Sequence, residues 1–266
     1  MAFMLGEVII DRVQYAYGEK KEQDGTFTPV LLMSQLSDFT VDISAESKDA
    51  VDAQGTLVKR FWQAKTGEVT ATNAMINFSS IGAQNGTDPE LATTTNVIKM
   101  PRIVAVKAGT TLPMPGYDGG EVNVNAMNNS GGMGKSYTLS DFNITDGTGD
   151  YAGIKVLTPP DDQDVAQYLV KYEREVTSGA RLINEADKFP GTIVLTIKAL
   201  AIDPCDVNTL KALYVRFPSF QISPELSMSL TTDTTVDFTG SLQADYCGGT
   251  EKTLYQMYWA DDDSEE

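Results

Sequence analysis

TIVLTIKALAI, residues 192–202, decides the fold class. In an extended chain Ile193, Leu195 and Ile197 fall on one face and Val194, Thr196 and Lys198 on the other. Residues 226–246 repeat the pattern: Leu226, Met228 and Leu230, a break around Asp233, then Val236, Phe238, Gly240, Leu242, Ala244 and Tyr246. Residues 253–259 set Leu254, Gln256 and Tyr258 against Tyr255, Met257 and Trp259. A period of two with β-branched and aromatic enrichment is the signature of strands.

Stretches 7–17, 27–43, 56–64, 67–78, 136–145, 151–158 and 165–176 read as strands too. Asp24-Gly25, Gln54-Gly55, Thr66-Gly67 and Gly248-Gly249 stand between such runs as turns. Ser44–Asp52 is the best of few helical candidates, and residues 209–215 (TLKALYV) suit a short helix or a strand. Residues 97–160 hold 10 of the 22 glycines and 5 of the 11 prolines, so they are expected to form loops and short strands, as a small β insertion facing outward. No repeat of fixed period is present.

Composition excludes several functions. The 266 residues carry 20 Lys+Arg against 37 Asp+Glu, a formal net charge of −17, and no histidine. Without imidazole there is no Ser-His-Asp machinery and no His-ligated zinc. Gripping phosphates requires clustered Lys and Arg, which this balance opposes. The start, MAFMLGEVIIDRVQ, is broken by Glu7 and Asp11 and does not read as a signal peptide. A cytoplasmic site of synthesis is expected, where two buried thiols are the plain reading of Cys205 and Cys247, with a disulfide or a metal site as the alternatives. The final DDDSEE reads as a solvated, mobile acidic tail.

Three motifs tempt and fail. Gly131-Gly132-Met133-Gly134-Lys135-Ser136 ends like a phosphate-binding loop, but Asn129 replaces the first required glycine. A flexible hairpin loop is expected instead. Asp141–Asp146 opens like a calcium loop, yet Asp146 and Ala152 occupy the positions that need Gly and Glu. Asp161, Asp162 and Asp164 follow Pro159-Pro160 and are expected to cap an exposed turn. No catalytic, cofactor or metal constellation survives, so a binding module or an assembly subunit is expected rather than an enzyme.

The last third resembles the tail tube (major tail) proteins of tailed bacteriophages. The resemblance rests on KFPGTIVLTIKALAIDP (188–204), on Arg216-Phe217-Pro218, on the aromatic-x-Gly-x-Leu-x-Ala run Phe238–Ala244, and on a final strand opening Leu254-Tyr255. Gly134–Tyr137, Ala152–Val156 and Val170–Tyr172 agree more loosely. The resemblance implies an all-β fold, a β-sandwich or open barrel of the tail-tube type with long hairpins and few short helices, in one domain over 1–266. It implies homohexameric rings that stack into a hollow tube in the virion tail, assembled in the host bacterial cytoplasm. Tape measure, tail terminator and baseplate or tip proteins would be partners, with a sheath if the tail contracts. DNA would pass without specific binding, no cofactor would be needed, and no membrane is involved. The competing expectation is another virion β protein, a capsid decoration or a carbohydrate-binding module, which would pair exposed aromatics; Trp62 and Trp259 show no such pairing in the sequence.

Two sets of residues are candidates within that picture. An acidic wall would repel phosphate, and Asp233, Asp237, Asp245 and Glu251 are the expected lining. The loop from Asp42 to Lys65 mixes Glu46, Asp49 and Asp52 with Lys48, Lys59 and Arg60 beside Phe61 and Trp62. Such mixed charge with aromatic anchors suits the contact between stacked rings.

Overall fold

The computed structural model describes residues 7–34, 36–128, 130–204, 206–232, 234–245 and 252–265. The chain begins with β1 (Ile9–Lys21), β2 (Phe27–Met33), β3 (Leu36–Val51), β4 (Leu57–Asn73) and helix α1 (Phe78–Asn85). There follow β5 (Glu90–Ala92), β6 (Ile98–Lys107), β7 (Leu112–Met114), β8 (Val122–Met127), β9 (Met133–Tyr137) and β10 (Asn143–Asp146). Then come β11 (Lys155–Thr158), β12 (Gln167–Val176), β13 (Gly179–Arg181), β14 (Thr192–Asp203), β15 (Asp206–Ile222), β16 (Val236–Leu242) and β17 (Gln256–Glu265). The fold is all-β and antiparallel, and among the described residues no sheet closes into a barrel. It divides into two compact units, Met1–Pro89 with Leu182–Glu266, and Glu90–Arg181.

The first unit is one eight-stranded sheet in the order β2-β1-β14-β15-β16-β4-β3, with β17 also paired to β15. The stretch that decided the fold, β14, lies centrally and is buried from Ile193 to Ala201 apart from half-buried Thr196. Ile193, Leu195 and Ile197 enter one apolar cluster with Met33, Val69, Ala71, Phe217, Phe220 and Phe238. Contributions from β1 and β2 as well as from β4 and β16 mean that the sheet curls around its own core. On its second face Lys198, only 7% exposed, lies between its cross-strand neighbours Tyr15 and Tyr214. Its ammonium is 5.7 Å and 5.9 Å from those ring centroids, a placement that the ring quadrupoles favour.

The resemblance motifs have local physical causes. Phe217 is fully buried opposite Leu195, and the register slips between Leu195 and Ile193 where Pro218 stands. Proline cannot donate to a ladder, so it sits at the irregularity. In Phe238-Thr239-Gly240-Ser241-Leu242 the rings of Phe220 and Phe238 meet at 5.6 Å over Gly240, where any Cβ would overlap the Phe220 ring.

Several expectations are corrected. Ser44–Asp52 is not helical; through Val51 it belongs to β3, because fourteen-odd residues of register with β4 outweigh weak helix propensity. The helix is Phe78–Asn85, capped by the Asn77 carboxamide on the N–H groups of Ser79 and Ser80 and ended by Gly86 at φ +69°. Residues 209–215 lie in strand β15. Thr66-Gly67 is no turn: Gly67 lies inside β4, where a Cβ would crowd Leu242. Residues 138–142 are a turn and not strand, and among the described residues of the 226–246 run only Val236–Leu242 is regular strand. The acidic end is not a free tail, since β17 reaches Glu265 with Lys211 opposite Ser264 on β15. Cys205, Cys247 and Gly248-Gly249 lie outside the described residues.

The second unit packs a four-stranded sheet, β6-β12-β8-β9, and a three-stranded sheet, β10-β11-β7, onto one core, a small β-sandwich. Its borders lie beyond 97–160 because β12 pairs with β6 along its whole length, Ile98 to Val176. At the ends of the unit β13 pairs with β5, and Arg181 donates from Nε and Nη2 to Glu90 Oε2 at 3.0 and 2.6 Å.

Candidate assembly surfaces

The segment Asp42–Lys65 is a two-stranded arm rather than a loop. It is the outer half of the β3–β4 hairpin, and its turn occupies only Asp52–Thr56. There the Asp52 N–H donates to Thr56 O at 2.9 Å and Gly55, at φ +83°, donates to Asp52 O at 3.0 Å. This is a turn followed by a left-handed glycine, which matches strand twist. The Asp52 carboxylate accepts from the N–H groups of Gln54 and Thr56, and the Thr56 bond foremost holds it below the usual carboxylate range.

Strand register sorts the expected residues onto two faces. Lys48 opposes Phe61 and Ala50 opposes Lys59 on one; Asp49 opposes Arg60 and Ser47 opposes Trp62 on the other. Arg60 grips Asp49 with two bonds, Nε to Oδ1 at 2.8 Å and Nη2 to Oδ2 at 2.9 Å. That bond holds Asp49 low and the guanidinium high. The Arg60 guanidinium also lies 5.8 Å from the Trp62 ring centroid, and the Lys59 ammonium 5.1 Å from that of Phe61. Glu46 falls where the register slips between Ala45 and Ser47. Every residue from Val51 to Thr66 is exposed, and Trp62 is 66% exposed. Trp259 instead packs against Ala199, Ala201 and Leu213, so the two tryptophans do not share a surface.

The inner half of the same hairpin builds a different surface. Its register with β16 lines up rows: Asp38–Thr72–Asp237, Thr40–Thr70–Thr239 and Asp42–Glu68–Ser241. The intervening rows, Phe39–Ala71–Phe238 and Val41–Val69–Gly240, point into the core. The polar rows hold four carboxylates and no Lys or Arg, and Asp38, Asp42, Glu68 and Asp237 are all exposed. Thr72 donates its hydroxyl to Asp237 Oδ1 at 3.2 Å. Asp42 faces Glu68 directly, an arrangement that costs stability.

Of the four expected lining acids, Asp237 joins this face. Asp245 does not: β16 ends at Leu242, and Asp245 lines a hollow shared with Lys21 and Arg216. Asp233 and Glu251 lie outside the described residues. Asp38 and Glu68 share this face with Asp237 and were not among the expected residues, although Asp38, Thr40 and Asp42 alternate with Phe39, Val41 and Ile43 in plain sequence.

The tempting motifs are structural. The glycine run is the β8–β9 hairpin, whose Asn128 carboxamide accepts from Ser130 and Gly132. Asp141 caps the turn at Thr138. Asp162 accepts from the buried Tyr137 hydroxyl at 2.7 Å, which lowers its pKa, while burial foremost pushes the phenol up. That carboxylate therefore anchors an aromatic rather than merely capping a turn. Among the described residues no His/Cys/Asp/Glu group could hold a metal, and no helix is long and apolar enough to cross a membrane.

Compared with known proteins, residues 23–255 match the model of the YomU/Tube protein family. No curated protein matches the chain.

Proposed function

From the premise that this chain belongs to the YomU/Tube protein family, phage tube proteins of structural role, we propose that six copies close into a ring and that rings stack into the hollow tail tube through which DNA passes. The observation that carries the reading is the base-free acidic face of β3, β4 and β16. A lumen lined by that face repels phosphate, so DNA has no Lys or Arg on which to catch. Six copies would carry on the order of −100 formal charges, and at a screening length of ~10 Å such a wall acts across much of a narrow bore.

Ring closure uses the sheet's edges. Among the described residues β2 and β3 each pair with one strand only, and such edges are an aggregation hazard unless a neighbour covers them. The arm carries the contact between rings, its cations and aromatics serving as anchors. Tape measure, terminator and baseplate or tip proteins meet the tube at its core and ends, with assembly in the bacterial cytoplasm.

Electron microscopy of the purified protein tests this. Hollow tubes with six-fold rings support it; dispersed monomers at high concentration overturn it.

A further inference from the structure

Two exposed apolar groups of the first unit take no part in its buried clusters. The first gathers around Asn77, which caps α1 and donates from Nδ2 to the Leu32 carbonyl at 2.7 Å. That bond brings the chain before α1 to the end of β2. Leu32, Met75, Ile76 and Phe78 are all exposed there, Met75 by 60%. Half-buried Tyr17 lies opposite Leu32 on β1 and extends the same surface. The second group is Val8, Ile9 and Ile10, exposed where β1 begins. It continues the run MAFMLG, residues 1–6, which lie outside the described residues and contain no charged side chain. Contiguous exposed apolar side chains mark interaction surfaces. Resting on the reading of this chain as a self-assembling subunit, we propose that the apolar strip of one copy, residues 1–6 with Val8, Ile9 and Ile10, packs over Leu32, Met75, Ile76 and Phe78 of a second copy.

Chain geometry excludes the same copy. On β14, Ile9 faces Ile202, and Tyr17, the partner of Leu32, faces Thr196. Six residues of strand separate those two rows, about 20 Å. Ile9 and Ile10 are held in the ladder at that distance, and Leu5, four residues before Ile9, reaches back at most about 14 Å. Charge admits a second copy at this place. Two chains of net charge −17 repel, and like charges juxtaposed across an interface are costly. Residues 25–37 and 69–87, which supply the receiving group, hold no charged side chain, and Glu7 is the one charged side chain in the first ten residues. The copies therefore meet here by apolar burial. Each offers one strip and receives one, and such a head-to-tail contact closes into a ring or continues into a filament.

Site-specific photo-crosslinking tests the contact. A benzophenone amino acid takes the place of Phe3 in one variant and of Ile9 in another, and each is mixed with heavy-isotope-labelled chain before assembly. The expected product is a dimer whose joined peptides link the probe to Leu32 or to residues 75–78 across a labelled and an unlabelled copy. Met75→Asp with Phe78→Asp in the labelled chain is expected to abolish that product. The urea midpoint should stay in place, because both side chains are exposed. Crosslinks confined to one copy, or landing elsewhere on the second, overturn the contact; tubes still visible by electron microscopy then leave the tube reading in place. A crosslinked dimer at Leu32 or residues 75–78 without tubes keeps the contact and removes the tube reading. Dispersed chains with no crosslink remove both.

Discussion

The two halves of the β3–β4 hairpin are built from the same two strands and behave as different materials. The inner half has β16 as a third strand, apolar rows facing Phe220 and Leu242, and polar rows facing out. The outer half has no third strand among the described residues and is exposed on both faces. A lone two-stranded ribbon is marginal in water, so the outer half draws its order from its turn, its Arg60–Asp49 pair and, on the proposed contact between rings, a second copy. Burial decides which half holds the monomer together and which half is available for assembly.

The largest effect expected from breaking this contrast is at the inner half. Phe238→Ala removes a buried ring that stacks on Phe220, and a loss of about 3–5 kcal/mol in unfolding free energy is expected by urea denaturation. Gly240→Ala forces a methyl against that same ring, with an expected cost of about 1–3 kcal/mol. At the outer half, Trp62→Ala should move monomer stability by less than about 0.5 kcal/mol yet reduce the sedimentable tube fraction severely. Equal stability losses at Phe238 and Trp62 would erase the distinction between wall and arm.

Smaller effects sharpen it. Glu68→Gln removes like charge opposite Asp42 and should raise the monomer's stability by about 0.2–1 kcal/mol. A rule of local stability broken on this face is what a functional surface predicts. In the arm, hydrogen bonding by Arg60 depresses the folded pKa of Asp49. A depressed carboxylate contributes stability that is present above its unfolded value, near 4, and lost as pH falls through its folded value. In a Trp259→Phe background, Trp62 fluorescence should therefore change as pH drops below about 4, when Arg60 is released. A flat Trp62 signal down to pH 2 would show that the pair does not order the arm.

Much of this was open in the sequence. Alternation from Thr192 to Ile202 identified β14, and Phe238-x-Gly-x-Leu identified β16, because a strand's period of two is local. The Gln54-Gly55 turn was equally open, since only glycine takes φ +83° without strain. Gly67 misled because glycine answers to two causes, a turn or a close neighbour, and only the position of Leu242 tells them apart. Ser44–Asp52 misled because β4, its partner, begins beyond the turn.

By itself the sequence determined the all-β class, the net charge of −17 that opposes a phosphate grip, and the absence of imidazole chemistry, since these follow from residue identity and local period. The tertiary structure decided which acids share a face. Asp237 meets Asp38 through Thr72, and Asp42 meets Glu68, by ladders that join residues far apart in the chain. Asp245 leaves that face because alternation holds only while the strand lasts, and β16 stops at Leu242.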